Sequence, residues 1–427
     1  MKNYISQMKK LGKEGFFHIL LGGSLTKIIA FMSSILIVRL LSKDEYAYLA
    51  YADNIYSYVL LLCGLGCSSA ILKYCITENQ NKNFAYFKFA IKFGTISQVV
   101  IMIIIVAIIT NVDIAFPEAK GYIYSLLFYP FLYFWIGAIQ SYMRSLFKNK
   151  EFAYSGIIQS GVVLICSVIF VLIWGSYGVV CARYIALIVV ALYGIKVIRK
   201  EICIQNQNVI RLEKNEKKAF IGLGLALLFA NLFSMIMPNN ESFLINNILQ
   251  QAHITAEYKV ASLIPTQLPF FTSAIVTYYF PVFAKMENSS LIWEKMKRVG
   301  ILTGGLILVV TLIGILVSPI IIKIFYGEQY NNIFTLMTFL WIINAINAGF
   351  RMLPMNILPA IGYAKFNLVV AFVSCIIHFG IDYFLITYLG IRGAVIAGGF
   401  VYFFSGIAYW GYLRYKLCSS TTRNVFH

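Results

Sequence analysis

The stretch ILTGGLILVVTLIGILVSPIIIKIF, residues 301–325, decides the fold class of this chain. It contains one charged residue, Lys323, and it exceeds the roughly 20 residues that an α-helix needs to cross a bilayer. Because the stretch is continuous, without the period-two alternation of barrel strands, it predicts a membrane-spanning helix. Similar stretches recur at Ile19–Leu40, Val99–Thr110, Tyr122–Ile139 and Gly161–Trp174.

The composition of the whole chain agrees with this interpretation. Of its 427 residues, 60% are hydrophobic and 12% are charged, against roughly 25% charged in an average soluble domain. Apolar surface on this scale must face lipid, which excludes a soluble enzyme. The eight cysteines form no C-x-x-C pair, so neither a metal site nor a disulfide framework is expected.

Apolar stretches alternate with polar breaks, and they predict an all-α polytopic membrane protein with about 12 transmembrane helices. The predicted spans are 16–40, 46–74, 84–109, 119–143, 154–174, 177–197, 219–240, 243–283, 299–324, 332–358, 366–388 and 390–415. An even number of spans places both termini on one side of the membrane. No small-residue cleavage site follows the first span, so we expect it to remain as a helix.

Lysine and arginine are unevenly distributed among the predicted loops. Most of the 35 Lys and Arg residues lie in the terminal segments and in alternate loops that fall on the same side of the membrane. Because basic loops stay in the cytoplasm, both termini are predicted to be cytoplasmic. The net charge of +18 is therefore read as a topology signal, and nucleic-acid binding is not predicted.

The longest polar stretch, Arg199–Lys218, divides the predicted spans into two sets of six. We predict an N-terminal six-helix lobe at residues 1–200, a cytoplasmic linker at 201–217 and a C-terminal six-helix lobe at 218–427. Each lobe has enough apolar sequence to form a helical bundle of its own. This division predicts a membrane protein built from two comparable halves.

Short matches between the halves indicate an internal repeat. Gly175-Ser-Tyr-Gly178 precedes the sixth span, and Gly390-Ile-Arg-Gly393 precedes the twelfth. Lys150 and Lys365 are separated by the same offset in numbering, and Glu45-Tyr46 and Glu257-Tyr258 by nearly the same offset. Matches at nearly one offset favour two parallel six-helix repeats. Such repeats, with a site between the halves, are an architecture of transporters.

Charged side chains inside the N-terminal spans are candidates for function, because a charge at the bilayer centre costs at least about 2.5–3.5 kcal/mol. Lys27 lies in the first span and Asp53 in the second. They could serve a cavity, with Asp53 coupling transport to a cation, or they could form a structural ion pair with each other. Arg144 and Arg183 are candidate substrate-binding cations at the cavity rim, or plain interfacial anchors, and Arg39 is a further candidate for substrate contact.

The tenth predicted span carries Asn344, Asn347 and Arg351 at positions i, i+3 and i+7. A helix brings these side chains to one face, and the guanidinium fork of arginine suits phosphate oxygens. This polar stripe is the best single candidate for contact with an anionic substrate. The alternative is an arginine at the cytoplasmic interface of the membrane.

Three further titratable residues are candidates for ion coupling. His378 and Asp382 are one helical turn apart in the eleventh span, where they could relay a proton or satisfy each other in a packed bundle. Glu241 follows Pro238 at the end of the seventh span and could lie centrally or at the outer interface. Together with Asp53, these residues predict proton or sodium coupling, and no other cofactor is expected.

The sequence carries no enzyme signature. It lacks the G-x-x-x-x-G-K-[ST] motif, so ATP hydrolysis by a P-loop is not predicted. The predicted outer loops are short and carry no convincing carboxylate pair for glycosyl transfer. The chain is therefore predicted not to be an enzyme, and its energy would come from ion gradients or from substrate asymmetry.

Several short motifs are similar to those of a known family. They are Ile37-Val-Arg39-Leu-Leu-Ser42-Lys-Asp-Glu45-Tyr46, Gly64-Leu-Gly66-Cys-Ser-Ser-Ala70, Tyr326-Gly-Glu328-Gln-Tyr330 and Leu389-Gly390-Ile-Arg-Gly393-Ala-Val-Ile-Ala397. Over essentially its whole length the chain resembles Wzx-type O-antigen and polysaccharide flippases of the multidrug/oligosaccharidyl-lipid/polysaccharide (MOP) exporter superfamily. It departs from the family pattern at Glu241, where relatives commonly have Asp, and at Ala47, where they usually have Gly.

The resemblance implies two six-helix lobes and alternating access through a cationic cavity. The implied substrate is an undecaprenyl-pyrophosphate-linked oligosaccharide, such as an O-antigen unit of lipopolysaccharide, moved across the bacterial inner membrane. A polysaccharide polymerase and a chain-length regulator are the implied protein partners. Lys27 and Arg351 would offset the pyrophosphate charge, so loss of either is expected to abolish surface glycan. The alternatives are a lipid II-type or drug/cation exporter of the same superfamily, and a membrane-embedded glycan polymerase.

Overall fold

The computed structural model describes residues 16–77, 79–205 and 210–423. Within these ranges the chain is helical and contains no β-strand, which confirms the predicted all-α class. The chain forms two compact units, Met1–Leu232 and Phe233–His427. The boundary between the units lies inside a continuous helix, whereas the predicted lobes are separated by the linker at 201–217. Residues 206–209 of that linker lie outside the described residues.

The first unit consists of helices joined by short turns. Its described helices are α1 (Phe16–Leu40), α2 (Lys43–Leu61), α3 (Cys67–Tyr74), α4 (Gln80–Asn111), α5 (Lys120–Ser125), α6 (Tyr129–Ser145), α7 (Asn149–Trp174), α8 (Ser176–Gln205) and the beginning of α9 (Lys214–Leu249). Short 3₁₀ turns at Cys63–Gly66 and Pro117–Ala119 connect some of these helices. The long helices account for the apolar stretches of the N-terminal half.

The second unit is also helical. Its described helices are the end of α9, α10 (Ala252–Ser262), α11 (Pro269–Ala284), α12 (Ser289–Ile321), α13 (Phe334–Ala345), α14 (Met352–Ile357), α15 (Ala364–Leu389) and α16 (Ile391–Arg423). Short 3₁₀ segments lie at Pro265–Gln267 and Glu328–Ile333, and π-helical segments lie at Ile322–Tyr326 and Ile346–Arg351. The second π-helical segment lies between α13 and α14 in the tenth predicted span.

Ten of the described helical segments are long and apolar enough to cross a membrane. They are Leu21–Leu40, Lys43–Tyr74, Gln80–Asn111, Pro117–Ser145, Asn149–Trp174, Ser176–Arg199, Ser289–Tyr326, Glu328–Ile357, Ala364–Leu389 and Ile391–Cys418. The segments Ala252–Ser262 and Pro265–Ala284 pass the same test as a pair bent by 42°. The seventh predicted span falls inside α9, so the helices are compatible with about 12 spans, and the chain is a multi-pass membrane protein.

The eighth predicted span, 243–283, is wrong at its beginning. Residues 243–249 belong to the end of α9, and Gln250 has a φ of 49°. A positive φ at a residue other than glycine ends the α-helical hydrogen-bonding pattern. The span therefore begins at Ala252, and Pro265 and Pro269 lie at its bend because proline lacks the amide proton that a straight helix needs.

Local sequence signals explain both the beginning of α2 and the break after it. Ser42 forms a capping box with Glu45, whose backbone N–H donates to Ser42 Oγ at 3.3 Å. The second predicted span is interrupted at Cys63–Gly66, where three consecutive residues have positive φ. A Cβ atom at Gly66 would lie 2.1 Å from the carbonyl oxygen of Gly224. The break thus requires glycine, because α9 packs directly against the backbone there.

Aromatic side chains form much of the core of the first unit. The rings of Phe87 and Tyr142 stack at 4.3 Å between centroids, which joins α4 to α6. Phe220 of α9 is fully buried and stacks on Tyr86 of α4 at 5.7 Å. Burial of these rings stabilises the unit through the hydrophobic effect and through favourable ring geometry. The beginning of α9 therefore belongs to the core of the first unit.

In the second unit, tryptophan side chains anchor the helices by hydrogen bonds as well as by packing. Trp341 Nε1 donates to Ser318 Oγ at 3.1 Å, which joins α13 to α12. Trp410 Nε1 of α16 donates to the backbone oxygen of Phe350 at 2.8 Å. Phe350 belongs to the π-helical segment Ile346–Arg351. The second bond therefore satisfies a backbone acceptor where the regular α-helical pattern changes.

The two repeat motifs have the same local geometry. Gly175 has φ and ψ of 56° and −138°, and Gly390 has 59° and −143°. A Cβ atom at Gly178 would lie 2.2 Å from the carbonyl oxygen of Phe170. A Cβ atom at Gly393 would lie 2.1 Å from the carbonyl oxygen of Leu385, which is the residue that matches Phe170 at the repeat offset. Each unit therefore builds its last helical hairpin, α7–α8 or α15–α16, in the same way.

Candidate functional site

The second unit contains a polar cavity of about 290 Å³. Helices α9, α10, α13 and α16 and the π-helical segment Ile346–Arg351 supply its walls. The polar side chains that line it are Asn239, Glu241, Ser242, Tyr258, Lys259, Ser262, Thr266, Asn344, Asn347 and Tyr402. We call this space the polar cavity. It brings together two of the predicted anion-binding residues, Asn344 and Asn347, and the ion-coupling candidate Glu241.

Arg351 lies next to the polar cavity and is buried, with 7% of its surface exposed. Its Nη1 donates to Oδ1 of Asn347 at 3.0 Å, and its guanidinium carbon lies 5.4 Å from the ring centroid of Tyr402. Both contacts are with residues that line the cavity. Burial places Arg351 inside the second unit.

The guanidinium of Arg351 is incompletely satisfied. Its Nε atom is buried and has no hydrogen-bond partner among the described residues. In the same part of the chain, no carboxylate forms an ion pair with this arginine. A buried cation that lacks an anionic partner is costly. Arg351 does not itself line the polar cavity, and it is linked to the cavity through its contacts with Asn347 and Tyr402, which do.

Glu241, His378 and Asp382 form a row of titratable side chains. Nε2 of His378 lies 3.2 Å from Oε1 of Glu241, and Nδ1 lies 3.1 Å from Oδ2 of Asp382. His378 and Asp382 are fully buried, whereas Glu241 retains some exposure and lines the polar cavity. The imidazole thus lies between a cavity-lining carboxylate and a buried one, but among the described residues its two nitrogens and the Asp382 oxygens form no hydrogen bond.

Two contacts hold Glu241 in place. The hydroxyl of Tyr258 donates to Oε2 of Glu241, and the backbone of Gly398 lies so close that a Cβ atom there would be 2.6 Å from Oε1. Glu241 is therefore packed within the second unit, and its central or interfacial depth in the membrane stays a prediction. In the part of the chain that the structure describes, no group of three or more His, Cys, Asp or Glu residues is arranged to hold a metal ion.

The first unit holds a different arrangement of charge. Arg183 of α8 donates to both carboxylate oxygens of Asp53 of α2, at 2.5 and 2.8 Å. The structure therefore pairs Asp53 with Arg183, whereas the sequence suggested Lys27 as its structural partner. Arg183 is likewise part of an ion pair and not a plain interfacial anchor. Bidentate pairs of this kind fix the two side chains geometrically as well as electrostatically.

The remaining cations of the first unit that were candidates for substrate contact are exposed. Lys27 and Arg39 lie at exposed positions of α1. Arg144 is exposed at the end of α6, and its guanidinium carbon lies 5.3 Å from the ring centroid of Phe152. Neither of the two pockets described in this unit is lined by Lys27, Arg39 or Arg144. Their predicted contact with substrate stays a prediction.

Some residues of the site could not be selected from the sequence. Tyr258 and Tyr402 line the polar cavity and contact Glu241 and Arg351, but they are two of 29 tyrosines in the chain. The match between Glu45-Tyr46 and Glu257-Tyr258 indicated that Tyr258 corresponds to Tyr46 in the repeat. It did not indicate that Tyr258 contacts Glu241. Lys259 lines the cavity beside Tyr258. Which tyrosines line the cavity depends on how the helices pack, and the sequence alone does not show this.

The fold is that of a known class of membrane transporters. The chain is similar to the inward-facing conformation of a multidrug resistance MATE family transporter of the MOP superfamily, with a TM-score of 0.74 and 14% identity over 95% of this chain and 99% of the other. The outward-facing conformation of a MATE family transporter gives a TM-score of 0.64 at 15% identity, over 95% of both chains. At these identities the similarity establishes the fold class.

Residues 13–287 match the family model described as polysaccharide biosynthesis protein, and the chain belongs to this family. The chain is also 26% identical over 221 residues to a "Putative O-antigen transporter" from Shigella flexneri, a match that covers 52% of this chain and 51% of the relative. The match therefore spans about half the length of that curated relative. These findings confirm the resemblance to Wzx-type members of the MOP superfamily.

Proposed function

We propose that the protein is a flippase that moves an undecaprenyl-pyrophosphate-linked oligosaccharide, an O-antigen or other surface polysaccharide unit, across the bacterial inner membrane. Both termini would be cytoplasmic, as the distribution of lysine and arginine predicts. The family match and the similarity to a protein named as an O-antigen transporter support a carrier of glycan units. The MATE-type fold supports transport by alternating exposure of a binding site to the two sides of the membrane.

The observation that carries the proposal is the incomplete satisfaction of Arg351. A pyrophosphate offers several anionic oxygens, and a guanidinium binds such oxygens by charge-assisted hydrogen bonds. Arg351 lies beside the polar cavity with a buried Nε atom that has no partner among the described residues. The amides of Asn344 and Asn347 and the ammonium of Lys259 supply further polar groups around this cavity. A phosphate-bearing headgroup fits this chemistry better than a cationic drug does.

The row of Glu241, His378 and Asp382 would supply the coupling. A proton that enters from the cavity would reach Glu241 first, because this residue lines the cavity while the other two are fully buried. His378 lies between the two carboxylates and can pass the proton from one to the other through its two ring nitrogens. Protonation of the row would reduce the negative charge near Arg351, which favours binding of an anionic substrate. Proton coupling is thus preferred to sodium coupling.

Deletion of the gene in its host tests this function. Surface glycan and lipid-linked oligosaccharide would be assayed together in the deletion strain and in the strain complemented with the wild-type gene. The proposal predicts loss of surface glycan and accumulation of complete repeat units on the cytoplasmic side. Repeat units that reach the outer leaflet but remain unpolymerised would contradict it and support the polymerase alternative.

Normal surface glycan together with a changed resistance to cationic drugs would contradict the proposal in another way. That result would favour a drug exporter of the same superfamily. Trapped lipid II in place of surface-glycan units would favour the lipid II-type alternative. The position and chemical identity of the trapped lipid, together with drug resistance, therefore distinguish the proposed function from each alternative.

A further inference from the structure

The first unit contains a basic pocket of about 460 Å³ that is separate from the residues discussed above. It lies between the first turns of α4 and the segment that leads into α9. Four cationic side chains line it, namely Lys88, Lys92, Arg211 and Lys217. Their segments are far apart in sequence, yet the lysine and arginine distribution predicts that both lie on one side of the membrane. We call this space the basic pocket.

The walls of the basic pocket are held together by specific contacts. Lys82 Nζ of α4 lies 2.6 Å from Oε1 of Glu216 of α9, and this ion pair lowers the pKa of the Glu216 carboxyl below its usual value. Lys217 lies 5.9 Å from the ring centroid of Phe89, which also lines the pocket. These contacts fix the beginning of α9 against α4. The walls of the pocket are therefore held in place by contacts within the first unit.

Most of the cations that line the basic pocket have no ion-pair partner among the described residues. Lys88, Lys92 and Arg211 are exposed. Across the described ranges, none of these three residues forms an ion pair with a carboxylate. The nearby acid Glu216 is already paired with Lys82. Several close cations without an acid partner attract an anion with more than one negative oxygen.

The same face of α4 changes from basic to apolar just beyond the pocket. Lys88 and Lys92 are followed, at spacings that keep to one helix face, by Ile96, Val99 and Ile103. These three aliphatic side chains are 55%, 45% and 64% exposed. Exposed aliphatic side chains on a membrane-spanning helix face the lipid chains. The lysines therefore lie where such a surface begins, at the level that lipid headgroups occupy.

We propose that the basic pocket binds the phosphate headgroup of an anionic membrane lipid. The apolar surface of α4 would carry the acyl chains, and the four cations would contact the phosphate. Phe84, Phe89 and Leu212 in the pocket wall favour a ligand with an apolar part over free phosphate. This site goes beyond the proposed transport function, because it lies in the first unit and does not involve the polar cavity.

The test measures lipid binding by the purified full-length protein in neutral detergent. Dioctanoyl phosphatidylglycerol and dioctanoyl phosphatidylcholine would be titrated in parallel, with intrinsic tryptophan fluorescence or thermophoresis as the readout. The anionic lipid should bind at least about tenfold more tightly than the zwitterionic one. Combined replacement Lys88→Gln, Lys92→Gln, Arg211→Gln and Lys217→Gln should weaken binding of the anionic lipid by at least about tenfold.

A matched control removes the same number of charges from the second unit. It combines Lys285→Gln, Lys295→Gln, Lys297→Gln and Arg298→Gln and should leave lipid binding within about twofold of wild type. If the combined pocket variant does not fold, Arg211→Gln alone, at an exposed residue without an ion pair among the described residues, should still weaken binding about threefold.

Three results would overturn the proposal. The first is equal loss of binding in the pocket variant and the control variant, which would show a general effect of charge. The second is equal affinity for the two lipids. The third is displacement of the lipid by inorganic pyrophosphate at comparable concentration, which would identify a free phosphate compound as the ligand. None of these results depends on whether the protein transports a lipid-linked oligosaccharide.

Discussion

The two units differ in how the charged side chains inside their predicted spans are paired. In the first unit, Asp53 and Arg183 neutralise each other through two short contacts. In the second unit, Arg351 is buried beside a cavity without a carboxylate partner among the described residues, while three titratable side chains form a row of their own. A closed ion pair supports the packing of helices. The buried arginine and the row of titratable side chains are the groups that we propose to bind the anion and to carry protons.

Comparison of matching positions in the internal repeat shows where the two units carry different residues. At the offset that relates Gly175 to Gly390, the match of Arg183 is Gly398, and the carboxylate of Glu241 occupies the space that a side chain there would need. At the same offset, His378 and Asp382 match Val163 and Ser167. The same helical hairpin therefore carries part of a structural pair in one unit and the candidate coupling row in the other.

The largest expected effect concerns Lys27, which is exposed on α1. Under the sequence prediction, Lys27→Ala abolishes surface glycan while the level of protein in the membrane is unchanged, because a cation that offsets the pyrophosphate is lost. Glycan display and immunoblots of membranes are the measurements. Lys196→Ala, at an exposed position of α8, serves as the control. Normal glycan display in Lys27→Ala would contradict the predicted contact of Lys27 with the substrate.

The next effect concerns the titratable row. His378→Gln and Asp382→Asn should each reduce pH-gradient-driven transport in proteoliposomes by at least about tenfold, because the relay is interrupted. Transport with and without an imposed pH gradient is the measurement. Ser167→Ala, at the matching position of the first unit, should leave the response unchanged. A full response to the gradient in both His378→Gln and Asp382→Asn would show that the row is only structural.

A smaller effect is expected when the ion pair between Asp53 and Arg183 in the first unit is broken. Asp53→Asn and Arg183→Gln should each lower the thermal stability of the protein in detergent, because each leaves an uncompensated charge. The double variant should lose less stability than the sum of the losses in the two single variants. The difference should correspond to a coupling energy of about 1–3 kcal/mol. The exposed pair of Glu294 and Arg298, 3.9 Å apart, should give about 0.5 kcal/mol or less. Strictly additive effects of Asp53→Asn and Arg183→Gln would contradict the assigned pair.

The fold could be predicted from the sequence because its signals are local and repeated. Apolar stretches longer than a bilayer crossing indicated the helices, and the matching glycine motifs that begin at Gly175 and Gly390 indicated two similar hairpins. His378 and Asp382 could be placed together because a helix brings residues i and i+4 to one face. Their contact at 3.1 Å follows from that spacing.

The rest of the site depends on packing between helices and could not be predicted. Asp53 had a plausible partner in Lys27 of the adjacent span, but the bidentate partner is Arg183, 130 residues away. Glu241 joins His378 only because α9 packs against α15 within the second unit. The hydropathy pattern also did not indicate the break at Cys63–Gly66, because glycines keep this stretch apolar. Their positive φ angles nevertheless change the direction of the chain.

The central claim is that Arg351 binds the phosphate part of a transported lipid-linked glycan. The most direct measurement is the flipping of a fluorescent undecaprenyl-pyrophosphate oligosaccharide in proteoliposomes that contain wild-type protein, Arg351→Ala, Arg351→Lys or the exposed-site control Arg298→Ala. We predict that Arg351→Ala lowers the rate by at least about a hundredfold, since a charge-assisted contact beside the cavity is lost. Arg351→Lys should recover part of the rate, and Arg298→Ala should match wild type. Wild-type flipping by Arg351→Ala would contradict the account.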